Sequence, residues 1–300
     1  MVERLKGTGV AIVTPFHDSG NIDFVSFEKI IEHVIAGGIN YIVALGTTGE
    51  SVTMSRDEKV AVLEFVVEIV NKRVPVVAGM GGYSTQEVIN TIKVASFDGI
   101  DAVLSVCPYY NKPQQKGLYN HFKAIAGACP VPVILYNVPG RTSVNMTAET
   151  TLKLAEDFKN IIGIKEASGN LIQIMEIVKN RPQGFLVISG DDALTLPLIS
   201  LGADGVISVV ANAFPLEFSE MVNLSLKGKF NKARVIHFSL LEFTNAMFMD
   251  GSPSGIKAAM EIIGLCKSNV RLPLVKVNKT VHSIISEEIE FIRKIQVVAS

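Results

Sequence analysis

Eight short apolar runs, each followed by a longer amphipathic segment, divide the chain from its start to about residue 227. The runs extend from Val10 to Thr14, Tyr41 to Leu45, Val74 to Ala78, Ala102 to Val106, Val133 to Tyr136, Ile161 to Lys165, Leu186 to Ser189 and Gly205 to Val209. Uninterrupted apolar runs this short suit parallel strands covered on both faces. The segments between them have helical periodicity, and Asp23, Ser55, Ser84, Thr147 and Asn170 stand where a side chain would cap a helix start. An open doubly wound sheet would carry a nucleotide loop in its first βα turn. None is present: the stretch from Gly79 to Ser84 lacks the final glycine of a dinucleotide loop, and no GxxxxGK[ST] occurs. The pattern predicts the α/β class, a (β/α)8 TIM barrel over residues 1–227 that holds the catalytic site. Residues 228–300 read as a C-terminal helical appendage, broken by a loop from Met249 to Gly255 that contains Pro253.

Several function classes drop out on composition. Mean hydropathy is +0.35, but the longest uncharged stretch, from Ala124 to Gly140, contains Pro130, Pro132 and Pro139 and is no spanning helix. The N-terminus lacks an apolar signal region, so a cytoplasmic location is expected. A net charge of -1 without a basic run argues for small-molecule partners, with no nucleic acid and no membrane. Cys107, Cys129 and Cys266 are too scattered for a disulfide framework or a CxxC site, and the histidines have no HxxxH spacing, so no metal is expected.

In a β/α barrel the chemistry lies just beyond the C-terminal ends of the strands. The sixth run ends in Lys165, after four residues without a polar side chain. Carried into a cleft, such an amine is poorly solvated, which disfavours its charged form and suits attack on a carbonyl carbon. The alternative is that Lys165 is the first solvated residue after its strand. Beyond the second run, Gly46-Thr47-Thr48-Gly49-Glu50 reads as a turn whose glycines take unusual backbone angles and turn N–H groups and hydroxyls toward an anion, or as an ordinary turn. The fourth run leads into Tyr109-Tyr110, the fifth into Tyr136 with Arg141 five residues on. A phenol beside a neutral amine can move protons, and an arginine can hold a carboxylate by parallel bonds. Asp191 and Asp192 after the seventh run read as caps of the next helix. Cys107 has no histidine near it in sequence to make it a nucleophile.

Together, Gly46-Thr-Thr-Gly-Glu50, Tyr109-Tyr-Asn-Lys-Pro113, Tyr136-Asn-Val-Pro-Gly-Arg-Thr142, Gly163-Ile-Lys-Glu-Ala167 and Ser189-Gly-Asp-Asp192 resemble the 4-hydroxy-tetrahydrodipicolinate synthases, nearly end to end. These Schiff-base barrels share a superfamily with N-acetylneuraminate lyase. The resemblance implies condensation of pyruvate with L-aspartate 4-semialdehyde in lysine (diaminopimelate) biosynthesis, with no metal or organic cofactor. It implies that Lys165 forms the imine with pyruvate, that Tyr136 donates and accepts protons, and that Thr47 and Tyr110 complete a proton relay. Thr48 and Ile207 match pyruvate-contacting positions, Gly190 lines the same pocket, and Arg141 matches the residue that receives the second substrate's carboxylate. Tyr110 is expected to reach a neighbouring subunit's site, which makes a homo-oligomer, a tetramer built as a dimer of dimers, the expected assembly.

An N-acetylneuraminate or 2-keto-3-deoxy-sugar acid lyase is the competing enzyme reading, and a non-catalytic keto-acid-binding barrel the competing non-enzyme. Departures from the family pattern occur in the Asp250 to Gly255 loop, where members commonly have Asn-Pro, and at an inhibitor site. There, lysine-sensitive members have histidine and asparagine where this chain has Lys59 and Tyr83. Inhibition by L-lysine is therefore expected to be weak or absent.

Overall fold

The structure, a computed structural model, describes residues 2–299, and side chains as far as Lys294. Strands β1 (Gly7–Ala11), β2 (Tyr41–Ala44), β3 (Val76–Gly79), β4 (Ala102–Val106), β5 (Val133–Asn137), β6 (Ile161–Glu166), β7 (Leu186–Ser189) and β8 (Gly205–Ser208) close into a parallel barrel in sequence order. Helices α1 (Phe24–Ala36), α2 (Arg56–Val70), α3 (Thr85–Val94) and α4 (Gln115–Ala128) follow the first four strands. A single turn α5 (Pro139–Thr142) and then α6 (Ala148–Asp157) follow β5, and α7 (Leu171–Asn180), α8 (Thr195–Ser200) and α9 (Pro215–Leu226) complete the ring. Helices α10 (Phe230–Phe248), α11 (Ser254–Ile262) and α12 (Lys279–Ala299) pack on one another and on the α8 and α9 side of the ring. No helix among the described residues is long and apolar enough to cross a membrane.

Local chemistry explains the boundaries. The side chains of Asp23, Ser55, Ser84, Thr147 and Asn170 each accept a backbone N–H of the helix that follows, and Ser55 with Glu58 forms a reciprocal capping box. The first strand lies earlier than the apolar run from Val10 predicts. Its glycines disguise it: a Cβ on Gly9 would stand 2.2 Å from the Tyr41 ring, which fills the barrel interior instead.

Alternation along the strands sorts side chains into two cores. Tyr41, Val43, Leu104, Ile134, Tyr136, Ile162, Ile188 and Ile207 fill the barrel interior, while Ile42, Val103, Leu135, Ile164 and Val187 pack outward against the helices. The register between β5 and β6 shifts once, at Val133/Ile134, and thereafter pairs Tyr136 with Lys165 and Asn137 with Glu166. Tyr136 belongs to the interior set, so its register partner Lys165 enters the barrel mouth with it, and Asn137 and Glu166 point to the helix layer.

Candidate active site

Lys165 is 6 % exposed, so the solvated alternative for this residue fails. Its Nζ lies 4.4 Å from the Tyr136 ring centroid, and among the described residues it has no ion pair. Gly190, at the end of β7, makes room for the lysine stem: a Cβ there would meet the Ala167 Cβ at 2.7 Å and the Lys165 Cε at 3.0 Å. Ile207 on β8 is buried in the interior set that contains Tyr136.

The loop from Leu45 to Glu50 follows the C-terminal end of β2, at the same end of the barrel. Left-handed backbone falls on Leu45 (φ 57) and Glu50 (φ 55), and not on Gly46 or Gly49 as the sequence suggested. The two ends of the loop therefore carry the conformation that a Cβ disfavours, and the segment between them is a compact turn. Within it Gly49 N–H donates to Gly46 O and Glu50 N–H to Thr47 O, both at 3.1 Å. The N–H groups of Thr47 and Thr48, like their hydroxyls, have no protein partner among the described residues. Thr48 is buried and Thr47 exposed, so the loop presents free donors at its tip and toward the barrel.

Arg141 sits on α5, exposed, and its guanidinium has no partner among the described residues. Its loop is firm because the Thr142 hydroxyl donates to Val138 O and Val144 O. Tyr110 has φ 71 and is 89 % exposed. No hydrogen bond joins Tyr136, Thr47 and Tyr110 among the described residues, so the chain brings Lys165, Tyr136, Gly190 and Ile207 together at the mouth and leaves Tyr110 facing outward.

Two expectations need correction or refinement. Asp191 does accept the N–H groups of Ala193 and Leu194, but Asp192 does not cap the helix that follows it. It crosses to the end of β8, where it accepts from the Ser208 hydroxyl and from the Val209 and Val210 N–H groups. Burial pushes its carboxyl up to about 6. Cys107 is buried, and burial drives its thiol well above the ordinary value, which removes it as a nucleophile.

The sequence reading missed the layer behind the site. Asn137 Nδ2 donates to both Glu166 oxygens at 3.1 and 3.2 Å, and Gln173 Nε2 donates to Glu166 Oε2 at 3.0 Å. Asn145 joins through Asn137 and Gln173, and Met146 N–H donates to Asn137 Oδ1. Burial raises the Glu166 carboxyl above its usual range in spite of these donors. The network ties the loop bearing Arg141 to the backs of Tyr136 and Lys165. Its signal was present in the sequence, since a glutamate one residue after an inward lysine faces the helices and needs buried partners there. No cluster of three or more His, Cys, Asp and Glu side chains fit to hold a metal occurs among the described residues.

A model of the dihydrodipicolinate synthetase family matches residues 4–291. The chain belongs to that family. It is 51% identical to the 4-hydroxy-tetrahydrodipicolinate synthase of Parabacteroides distasonis over 91% of this chain and 92% of that protein. With the synthase of Cytophaga hutchinsonii it shares 50% identity over 96% and 97% of the two chains. The crystal structure of the chloride-inhibited dihydrodipicolinate synthase of Acinetobacter baumannii complexed with pyruvate superposes with a TM-score of 0.93 at 40% identity, covering 96% of this chain and 99% of that one. The family's barrel architecture is the one observed here, with its strand ends gathered around Lys165.

Proposed function

We propose that this member of the family condenses pyruvate with L-aspartate 4-semialdehyde to 4-hydroxy-tetrahydrodipicolinate, a step of lysine (diaminopimelate) biosynthesis, through a Schiff base on Lys165. The observation that carries the proposal is a buried lysine amine without a carboxylate partner, 4.4 Å from a tyrosine ring at the mouth of a β/α barrel. Such an amine attacks C2 of pyruvate and expels water to give an imine, whose nitrogen draws electrons from the neighbouring methyl group. Loss of a methyl proton gives the enamine, and its carbon adds to the aldehyde of the second substrate. The amine of that substrate then displaces Lys165, which closes the ring and frees the enzyme. Tyr136 moves the protons, in a relay with Thr47 and with Tyr110 from a neighbouring subunit. The free donors of Thr48 and the surface of Ile207 hold pyruvate, Gly190 keeps the pocket open, and Arg141 receives the carboxylate of the semialdehyde.

The catalytic machinery is assigned to residues 1–227, with residues 228–300 as its helical support and the cytoplasm as its location. The exposure of Tyr110 favours a dimer as the smallest active unit and a pair of dimers as the assembly. Borohydride reduction in the presence of pyruvate, followed by peptide mass mapping, tests the central claim. The expected result is one reduced adduct, on Lys165; an adduct on another lysine, or none, overturns it. Efficient cleavage of a sugar acid by a chain whose Arg141→Ala variant condenses normally would favour the sugar acid lyase reading.

A further inference from the structure

The motif after β2 ends in Glu50, a residue for which the reaction has no use, and yet Glu50 is among the most deeply held side chains of the molecule. Its carboxylate and the ammonium of Lys257 are both 0% exposed and form an ion pair across 207 residues of sequence. The other carboxylate oxygen accepts the backbone N–H of Arg271 at 3.0 Å. Lys257 also donates to Asn269 O at 2.8 Å and lies 4.2 Å over the Phe16 ring. Asn269 donates in turn to Phe16 O, so the segment after β1, the Thr47 loop and the C-terminal region share one polar core.

The bonds this cluster makes to the Thr47 loop fall on its base and none on its tip. Glu50 O accepts the Thr53 hydroxyl and N–H, Gly49 O accepts the Thr14 hydroxyl, and Arg271 donates to Thr53 O. The donors of Thr47 and Thr48 stay free. Glu50 is itself left-handed, a backbone state that relaxes unless its side chain is anchored. A buried ion pair is a poor source of net stability beside an apolar pair of the same shape, because both ions lose their water. What an apolar pair lacks is its directionality, with one carboxylate oxygen on Lys257 and the other on the Arg271 N–H.

We propose that Glu50 and Lys257 form a buried strut through which the C-terminal helices position the Thr47–Thr48 loop for pyruvate, both being positioning residues. The proposal rests on the functional reading above. It places an unassigned requirement for turnover on α11, in the C-terminal region outside the barrel strands.

The test uses the full chain and the Glu50→Gln variant, which keeps the side-chain shape but not the charge. Steady-state rates are measured well below the melting temperature, with pyruvate and the semialdehyde varied in turn. The expected result is a KM for pyruvate raised about tenfold and a lower kcat, with the KM for the semialdehyde unchanged, because Arg141 stands on a different loop. If the single variant unfolds, the charge-free double variant Glu50→Gln/Lys257→Met leaves no lone buried ion. It is expected to melt near the unsubstituted chain and still to show the raised pyruvate KM. A lowered melting temperature or kcat with both KM values unchanged would make the pair purely structural and overturn the proposal, as would unchanged kinetics throughout. Borohydride trapping of the unsubstituted chain runs in parallel, and an absent Lys165 adduct there overturns the proposed function and this role of the strut together.

Discussion

Lys165 and Lys257 are buried to nearly the same degree, 6% and 0% exposed, and each Nζ lies over an aromatic ring, at 4.4 Å from Tyr136 and 4.2 Å from Phe16. Their other neighbours differ. Lys257 has a carboxylate and a carbonyl oxygen within bonding reach, whereas Lys165 has neither among the described residues. Burial draws the Lys257 ammonium below the ordinary lysine range, and Glu50 opposes that pull. One lysine is thus committed to its partner, and the other is left for a ligand. Burial is common to both lysines; the proposed nucleophile is the one buried without a counter-ion among the described residues, at the open end of the barrel.

The sharpest way to break this comparison is to remove the amine that lacks a partner. Lys165→Arg keeps a cation in the mouth but no nucleophile, and turnover should fall by at least about a thousandfold with the pyruvate adduct lost. Trapping and steady-state assays on the same preparation check this, and an adduct that moved to Lys257 would show that the two lysines are interchangeable. Stability should show the reverse order. Lys257→Met strands the Glu50 carboxylate and is expected to cost about 3–5 kcal/mol. Lys165→Met strands nothing and should change stability by no more than about 1 kcal/mol. Urea titrations of the two variants compare them directly, and equal losses would refute the distinction.

Smaller effects sharpen the picture. Arg141→Ala should raise the KM for the semialdehyde about ten- to a hundredfold while the pyruvate adduct still forms, since its guanidinium lies on the loop after β5. The Lys257 side of the molecule has an acid-sensitive tie: hydrogen bonding to Arg271 holds the Glu58 carboxyl at about 2, below the usual 4.5. A depressed folded-state value contributes stability above the unfolded value. That contribution is lost as the pH falls from about 4.5 through about 2, and Arg271→Gln should flatten the stability profile in that window. The smallest expected effect belongs to free L-lysine. Lys59 would oppose its charge, and Tyr83, packed edge-on against Tyr109 at 5.4 Å, occupies the place of a smaller side chain. Inhibition assays at neutral pH should give a constant above about 1 mM, and a much lower one would refute the charge argument.

Much of this molecule was legible in its sequence, because the features concerned are local. Strand and helix periods follow from neighbouring side chains, the five capping residues act on the next turn of chain, and an apolar run that ends in Lys165 carries that lysine to a strand end wherever the strand goes. A residue of the same kind was overlooked: Lys257 stands alone among Ile256, Ala258, Ala259 and Met260, all buried, and a lysine in such company must meet an acid or react. Which acid it meets was not legible. Glu50 lies 207 residues away, and only closure of the barrel and packing of α11 beside it bring the pair together. The same holds for Asp192, whose turn-like sequence suits a cap but whose position beside β8 offers it better donors. Local sequence thus determined the barrel, its caps and its inward lysine, since each depends on backbone geometry over a few residues. Tertiary structure decided which buried charges are neutralised, because a carboxylate finds its partner through space and the chain must fold before that distance exists.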